Sequence, residues 1–557
     1  MRQDLHQAFK RSVFKACQAQ ACRIHLETDG ASPATGVVRS TTDDEIEIEL
    51  VEGSLEGGHG AVSFELHGVP FAFGAEFSAC GKVVTTRMPA TIAARTQRRG
   101  ARVPVEAGTA FLVVDRVSSA LRAVKDLSPS GVRIANSNGI ALHGPCEAEL
   151  VFGKRRIPCI AQPRHWYTSD GDCGIELQGD EEAARALARL YHRVRYPRLI
   201  PRADARPEDV AGLMARSAYV DLRDGAPMDS VWTAAKWDDA LSSDVVFPDK
   251  NGVPIGHISV TRAYERTWMA HQLATLATRR EGIECLRDLY SHGANWAQLN
   301  CPDANQMSYF NPQLPWHLRH FETFVEWLDR PEQAVMFHRD RFEPIPESEK
   351  ETNDASALPA ASALSAFVEV RRMRAGEELA VLRCIERSLP ALAVDGYDLK
   401  PGKLDGELFQ DPAGHAKRRR EALVLFEDGK FVGTAICEFG NPALSLFNIF
   451  NFAQLFFEAD GGGPSAMAQA ALAKAARAPY HERMLGEPII VAAPGEFRGA
   501  SDAGLRFHER MGCIVWNAEG LRQYDSFLRV QFGTRKVRTQ PRSGQNSLPV
   551  NNEGAQS

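Results

Sequence analysis

From residue 22 to residue 177 the chain is a succession of short segments in which polar and apolar residues alternate. The segment "DDEIEIELVE" is the clearest, since its charged and apolar side chains fall on opposite faces of a strand. Gly, Asp and Ser separate the segments, as turns between short strands require. Helical patterns flank this region, one in residues 1–22 and one beginning near Asp180. The pattern therefore predicts two small all-β domains in tandem, over residues 1–92 and 93–200.

After Pro201 the pattern changes to strands that alternate with helices. Residues 364–533 predict the order β-β-β-α-β-α-β, with a hairpin that turns at Asp428-Gly429 and a helix "SDAGLRFHERMG" before a strand "CIVWN". Residues 205–343 have a similar texture, in which "WMAHQLATLATRREG" is predicted as a helix. They are interpreted as a divergent copy of the same mixed α/β unit.

Two polar segments are predicted to lie outside the folded domains. Residues 344–363 are rich in Pro, Ser, Ala and charge, which predicts a linker that little core should cross. Residues 534–557 are polar and predict a disordered tail. Because a single core rarely grows beyond ~250–300 residues, a chain of 557 residues must be multidomain.

Composition excludes several classes of protein. No apolar run approaches the ~18 residues of a membrane helix and no secretory leader is present, so we expect a cytosolic protein. The 11 cysteines are scattered and never form CxxC, which favours free thiols over disulfides or zinc. His257, His271 and His292 lack metal-ligand spacing, so no metal is predicted. A net charge of −6 gives no general attraction to nucleic acid.

One segment is basic in this otherwise acidic chain. Residues 91–200 carry 17 basic and 11 acidic side chains. Within them "RRGAR" carries Arg98, Arg99 and Arg102, the first and last of which form an RxxxR arrangement. A guanidinium group can grip phosphate with two parallel hydrogen bonds or donate to O6 and N7 of guanine. This segment therefore predicts a localised anion site.

A second motif follows in "DLSPSG", which has the pattern DxSxxG. Asp126 can accept hydrogen bonds from the N1–H and N2–H₂ edge of guanine, and Ser128 can bond to phosphate or base. Gly131 would permit the close approach of backbone to a ligand. Alone, the motif is equally compatible with an ordinary turn that contains a glycine.

Together the segments "QRRGARVPV", "VKDLSPSGVRI" and "GIELQGDEEAARALARL" resemble the PilZ domain, the bacterial receptor for cyclic di-GMP. The preceding β-domain resembles the accessory barrel of flagellar-brake-type proteins, and the likeness covers about residues 20–198. It implies two barrels, with arginines between them that clamp an intercalated ligand dimer. The implied cyclic di-GMP site consists of Arg98, Arg99, Arg102, Asp126, Ser128 and Gly131. A PilZ domain used only for protein contacts is the alternative.

The C-terminal block resembles GNAT acyltransferases in "GLRFHERMGCIVW" and in the hairpin "EDGKFVGTAICEF". The resemblance implies that Gly461, Gly462 and Gly463 stand where that family binds the pyrophosphate of acyl-CoA, and that His508 stands where its general acid lies. The acidic residues Glu458 and Asp460 next to these glycines repel a diphosphate, which predicts weak acyl-CoA binding.

The whole chain therefore predicts two small all-β barrels, PilZ-N-like and PilZ, followed by two mixed α/β GNAT-like domains. Its predicted function is that of a cytosolic bacterial cyclic di-GMP effector. In this effector, ordering of the Arg98–Arg102 segment around the ligand changes the angle between the barrels and moves a non-catalytic output module.

The alternative is an N-acyltransferase that uses acyl-CoA and is gated by cyclic di-GMP. A flagellar-motor brake would leave the last 350 or so residues unexplained. The expected partner is a protein of motility, exopolysaccharide or related signalling.

Overall fold

The computed structural model describes most of the chain. The described residues are 2–28, 32–67, 69–90, 92–94, 102–114, 120–135, 144–167, 172–217, 242–276, 279–301, 303–346, 367–409, 418–440, 450–459 and 463–539. The chain divides into two compact units, a smaller one of residues 1–95 with 526–557 and a larger one of residues 96–525. Among the described helices, none is long and apolar enough to cross a membrane.

The smaller unit is a closed six-stranded antiparallel barrel with a helix packed on it. Its elements are helix α1 (Arg2–Ala19) and strands β1 (Ile24–Thr28), β2 (Ala34–Thr41), β3 (Glu45–Glu52), β4 (Gly58–Leu66), β5 (Val69–Cys80), β6 (Val83–Arg87) and β7 (Ala93–Ala94). The strands pair in the order β4-β1-β2-β3-β6-β5, and β5 pairs back to β4. In β3 the buried Ile46, Ile48 and Leu50 alternate with more exposed glutamates, as predicted. Phe14 of α1 packs against Phe64 with ring centroids 5.6 Å apart.

The larger unit begins with a second closed barrel. Its elements are β8 (Val103–Pro104), β9 (Ala110–Val114), β10 (Ala120–Ser128), β11 (Gly131–Ile134), β12 (Cys146–Phe152), β13 (Arg155–Tyr167), β14 (Asp172–Gln178) and helix α2 (Glu181–Arg195). The order β11-β14-β13-β12-β9-β10 is closed by pairing of β10 with β11. Asp180 caps α2, and Leu187 and Tyr191 on its buried face join the barrel core. The predicted succession of two all-β barrels is confirmed.

The rest of the larger unit is one mixed sheet with helices on its faces. Its strands are β15 (Ile200–Pro201), β16 (Ser242–Pro248), β17 (Pro254–Arg262), β18 (Thr267–Thr275), β19 (Asn305–Phe310), β20 (Ala334–Pro344), β21 (Val368–Arg372), β22 (Gly406–Phe409), β23 (Arg418–Glu427), β24 (Lys430–Phe439), β25 (Phe452–Phe457), β26 (Ile489–Ala492) and β27 (Leu505–Trp516). Its helices are α3 (Pro207–Arg216), α4 (Arg279–Asn300), α5 (Pro315–Leu328), α6 (Glu378–Ser388), α7 (Ala391–Gly396), α8 (Ala466–Glu482) and the start of α9 (Ala518–Thr539). The mixed α/β half is therefore also confirmed.

The sheet contains the same strand order twice. Strands β18 and β19 are parallel neighbours joined through α4, and β25 and β26 are parallel neighbours joined through α8. The first block contains β15–β20 and the second contains β21–β27. Their last strands are exchanged, because β27 of the second block pairs with β19 of the first, while β20 of the first pairs with β26 of the second. The order is β15-β16-β17-β18-β19-β27-β20-β26-β25-β24-β23-β21, with β22 also on β23.

This exchange joins the two blocks through a shared core. Met269 and Met307 of the first block belong to the same buried cluster as Val381 and Val515 of the second. The expectation that little core crosses the segment 344–363 is therefore wrong. The domain boundaries themselves stay predictions.

Two segments predicted as helices are strands. The segment "WMAHQLAT" lies in β18, and "LRFHERMG" forms the first part of β27, whose last part, "CIVW", is a strand as predicted. Pairing with the neighbouring strands overrides the local helical preference of both segments. The predicted hairpin at Asp428-Gly429 is confirmed, since both residues have positive φ of 52° and 72° and join β23 to β24.

Candidate functional site

The RxxxR and DxSxxG motifs meet in the second barrel, where strand β8 pairs with strand β10. Strand β8 pairs with β10 so that Val103 lies beside Leu127 and Pro104 beside Asp126. This pairing brings Arg102 to Asp126, and Arg102 Nη1 donates a hydrogen bond to Asp126 Oδ1 at 3.1 Å. The two side chains are 24% and 16% exposed, so a ligand in solution can reach the pair.

Ser128 and Gly131 form the hairpin turn between β10 and β11. Ser128 Oγ donates to the carbonyl oxygen of Gly131 at 3.0 Å. A Cβ atom on Gly131 would lie 2.3 Å from the carbonyl oxygen of Ile175 in β14. Glycine is therefore required by the close approach of a neighbouring strand, a reason that differs from the ligand approach expected from the sequence.

A second group of charges lies beside this pair and was missed by the sequence analysis. Asp172 is 1% exposed, and its carboxylate lies 2.7 Å from Lys125 Nζ and 2.6 Å from Arg133 Nη2. Burial raises the pKa of Asp172, but the hydrogen bonds and charges of Lys125 and Arg133 outweigh burial and lower it. The register of the hairpin between β10 and β11 brings the two groups together, since it places Arg133 opposite Asp126.

We call Arg102, Lys125, Asp126, Ser128 and Arg133 the barrel site. With Asp172 it contains three cations and two carboxylates, so its net charge is positive. Lys125 and Arg133 are 47% and 28% exposed and can also turn toward a bound anion. The site can accept hydrogen bonds at the Asp126 carboxylate. It can donate them from the guanidinium groups of Arg102, just before β8, and Arg133, on β11.

Four of the predicted site residues lie outside the described residues. These are Arg98 and Arg99 of the cyclic di-GMP site and Gly461 and Gly462 of the acyl-CoA loop. Their roles stay predictions.

The predicted acid His508 lies on strand β27 and is 38% exposed. Its Nδ1 is 2.8 Å from Oε2 of Glu343 on β20, and Arg506 donates to the other oxygen of that carboxylate. Burial raises the pKa of Glu343, but the hydrogen bond from Arg506 and the charge of His508 lower it overall. His508 therefore belongs to a row of ion pairs across two strands.

The glycine loop before α8 has a cation beside it that the sequence analysis did not identify. Gly463 has a φ of 71°, and Arg498 Nη2 donates to the carbonyl oxygen of Pro464 at 3.2 Å. Glu458, which was expected to repel a diphosphate, forms an ion pair with Arg387. The electrostatic objection to a phosphate at this loop is weaker than the sequence alone implies.

A cavity of about 210 Å³ lies between the parallel strands β18 and β19. The strands pair from Thr267 to Met269 and then diverge. Six of the lining residues have Phe, Tyr or Trp side chains, and these are Tyr290, Tyr309, Phe310, Phe321, Trp516 and Tyr524. Arg341, His508 and Glu509 also contribute to the lining. We call this space the wedge cavity.

The matching gap between β25 and β26 is closed. Arg339 of β20 is 1% exposed and donates from Nη2 to the carbonyl oxygen of Leu455 at 3.3 Å. Its guanidinium also lies 4.9 Å from the ring centroid of Phe456. The space beside these strands is about 10 Å³, room for roughly one water molecule. The first block, where no site was predicted, therefore has the ligand-sized gap.

The three histidines of the first block are buried and do not gather into a metal site. His257 and His271 hydrogen-bond to the Gln272 carbonyl oxygen and Thr261 Oγ1, at 2.8 and 2.9 Å. His292 lies on α4. In the described ranges of the chain, no three His, Cys, Asp or Glu side chains are arranged to hold a metal ion.

Buried polar contacts join helix α2 of the second barrel to helix α4 of the sheet. Arg195 Nη2 donates to both carboxylate oxygens of Asp525 at 2.6 and 2.8 Å, and both side chains are 8% exposed. Asn295 of α4 donates to the same carboxylate at 2.9 Å. His192 Nε2 lies 2.6 Å from His292 Nδ1, and burial lowers the pKa of His292 to about 3. We call these five residues the α2–α4 junction.

No protein-family model and no curated protein matches the chain. Similar solved structures include MrkH and YcgR in complex with cyclic di-GMP, a GCN5-related N-acetyltransferase and a tandem GNAT protein.

Three of these structures cover between 38% and 58% of this chain. YcgR of Escherichia coli, solved with cyclic di-GMP, is 14% identical, with a TM-score of 0.26 over 38% of this chain and 92% of its own. A GCN5-related N-acetyltransferase from Sphaerobacter thermophilus is 15% identical, with a TM-score of 0.32 over 58% and 96%. A tandem GNAT protein of clavulanic acid biosynthesis is 16% identical, with a TM-score of 0.29 over 57% and 98%.

Proposed function

We propose that this chain is a cytosolic bacterial cyclic di-GMP effector whose mixed α/β half is a non-catalytic output module. The observation that carries the proposal is the barrel site. It brings Arg102 and Asp126, one from each of the two motifs, into contact. The three cations around it favour an anionic ligand over a neutral one.

The barrel site offers complementary groups for each part of the ligand. Arg102 can release Asp126 and donate to a phosphate of cyclic di-GMP, because the pair is partly exposed. Asp126 then accepts from N1–H and N2–H₂ of a guanine. The positive charge of Lys125 and Arg133 offsets the second phosphate. Arg98 and Arg99 complete the arginine segment in this proposal.

The α2–α4 junction supports transmission of this binding event to the output half. Helix α2 closes the second barrel, and its last turn holds Arg195, which is paired with Asp525. Because the paired groups are buried, a shift of α2 must either carry Asp525 of α9, and through it Asn295 of α4, or leave a charge without its partner. A barrel that changes shape on binding would therefore move the sheet half as well.

An acyltransferase gated by cyclic di-GMP is the second candidate. The observation that favours it is Arg498, which supplies a cation next to the glycine loop. Glu343 contacts Nδ1 of His508, so protonation of a departing thiolate would have to come from Nε2. Binding of acetyl-CoA in the micromolar range, abolished by Gly463→Glu, would replace the non-catalytic proposal with the enzyme.

Isothermal titration of the full-length chain with cyclic di-GMP tests the main proposal. We expect micromolar or tighter binding, and at least a tenfold loss with Arg102→Ala, because a charged hydrogen bond contributes about 1.5–3 kcal/mol. The matched control is Arg156→Ala, which breaks an exposed ion pair with Glu149 on the same barrel and should change the affinity less than twofold. Equal affinities for wild type and Arg102→Ala would exclude the barrel site.

A further inference from the structure

The wedge cavity is formed by the backbone as well as by side chains. Strand β19 runs on to Phe310, but its pairing with β18 stops at Met307. Beyond that point Ser308 Oγ donates to the Ala270 carbonyl oxygen at 2.9 Å, in place of a backbone hydrogen bond. Gln272 has a φ of 56° at a bulge in β18, an unfavourable conformation for a non-glycine residue. This strained, divergent backbone keeps the gap open.

Small residues prevent the helix above from filling the gap. Gly293 of α4 lines the cavity, and a Cβ atom there would lie 3.2 Å from Ile258 Cδ1 and 3.8 Å from Gln306 Nε2. Ala270 contributes only a methyl group on the facing strand. The cavity therefore sits among well-packed neighbours, which distinguishes it from a loosely packed surface depression.

The buried wall of the cavity is uncharged. Burial lowers the pKa of His271 to about 4, so this histidine is neutral near pH 7. Gln306 is 2% exposed, and its Oε1 has no hydrogen-bond partner among the described residues. The charges of Arg341 and Glu509 cancel in an ion pair of 2.9 Å. An ionic ligand would lose its hydration here and would gain a countercharge only by competing with this ion pair.

We infer that the wedge cavity is a binding site for an uncharged aromatic molecule of one or two rings that carries a hydrogen-bond donor. Its size fits this class, since a cavity of about 150 Å³ accommodates benzene and this one is 210 Å³. Its aromatic walls favour flat rings by offset and edge-on contacts. A small turn of the Gln306 amide group would present its oxygen to the donor. This site is independent of cyclic di-GMP binding.

The probes are indole and benzofuran, which have the same shape but differ in the N–H group. Titration calorimetry of the full-length chain should show binding of indole with a dissociation constant below about 1 mM, and of benzofuran about tenfold more weakly. In Gln306→Leu the two probes should bind equally, because the acceptor is gone. In Ala270→Leu, which fills the cavity, the affinity of both probes should fall at least tenfold. Indole-3-acetate, which is charged, should bind more weakly than indole.

The matched control is Gln454→Leu, the same change at a buried glutamine of β25 that does not line the wedge cavity. It should leave the affinity of both probes unchanged. Circular dichroism of each variant shows whether that variant is folded. Several outcomes would overturn the inference, namely no binding of indole to wild type, tighter binding of indole-3-acetate, or equal losses in Gln306→Leu and Gln454→Leu. A folded Ala270→Leu variant that binds indole like wild type would place the site elsewhere and overturn it too.

Discussion

At the scale of single residues, Gly131 shows how a motif residue can serve the fold. We expect Gly131→Ala to lower the free energy of unfolding of the second barrel by about 1–3 kcal/mol, because its Cβ would meet the Ile175 carbonyl oxygen at 2.3 Å. The control is Gly144→Ala, where a Cβ would have no neighbour within 4 Å. Thermal unfolding followed by calorimetry measures both. Equal melting temperatures for the two variants would show that β14 does not restrict position 131.

The residues of the barrel site were partly predictable. Arg102 and Asp126 could be paired in advance because their chemistry is complementary and a family resemblance links their motifs. Asp172 and Arg133 were not predicted, because their contact depends on how β11 registers against β10 and β14, which spacing along the chain does not reveal. His508 was expected on a helix, and its contact with Glu343 could not be anticipated from that position.

At the scale of elements, the short strands and capped helices were predictable because their signals are local. Ser465 caps α8 just where the glycine-rich turn ends, and Asp180 caps α2. Strand β18 was mistaken for a helix because burial on both faces of a central strand removes the polar-apolar alternation that marks an exposed one. The first part of β27 is mostly exposed and has charged side chains on both faces, so it lacks this alternation for a different reason. The exchange of β20 and β27 leaves no sequence signal, since it depends on pairing between distant strands.

The strand exchange predicts how the protein behaves when it is cut. Lys350 lies outside the described residues, in the segment predicted as a linker, and we expect trypsin to cut there early. The two fragments should nevertheless elute together from a size-exclusion column, because β20 of the first fragment lies between β26 and β27 of the second. They should separate in denaturant. Lys350→Gln should slow this cut, and separation of the fragments without denaturant would contradict the exchange.

At the scale of the whole molecule, the order of barrels and mixed sheet follows from changes in residue pattern along the chain. What the pattern cannot show is how the second barrel is attached to the sheet within the larger unit. Asp525 and Asn295 are 230 positions apart in sequence, and they meet only because α2, α4 and α9 converge. Such a buried, hydrogen-bonded junction fixes a specific arrangement even where it adds little net stability.

If this junction transmits the barrel's response, cyclic di-GMP should change amide hydrogen exchange in α4, residues 279–300, of the wild-type chain. In Asn295→Ala the link from α4 to Asp525 and to Tyr196 is removed while the His192–His292 contact remains, so the change in α4 should be smaller than in wild type while ligand affinity stays within twofold. The control is Gln298→Ala on the same helix, whose side chain donates to the Ala518 carbonyl oxygen instead. It should preserve the response. If saturating ligand leaves exchange in α4 unchanged in wild type, coupling does not pass through the α2–α4 junction.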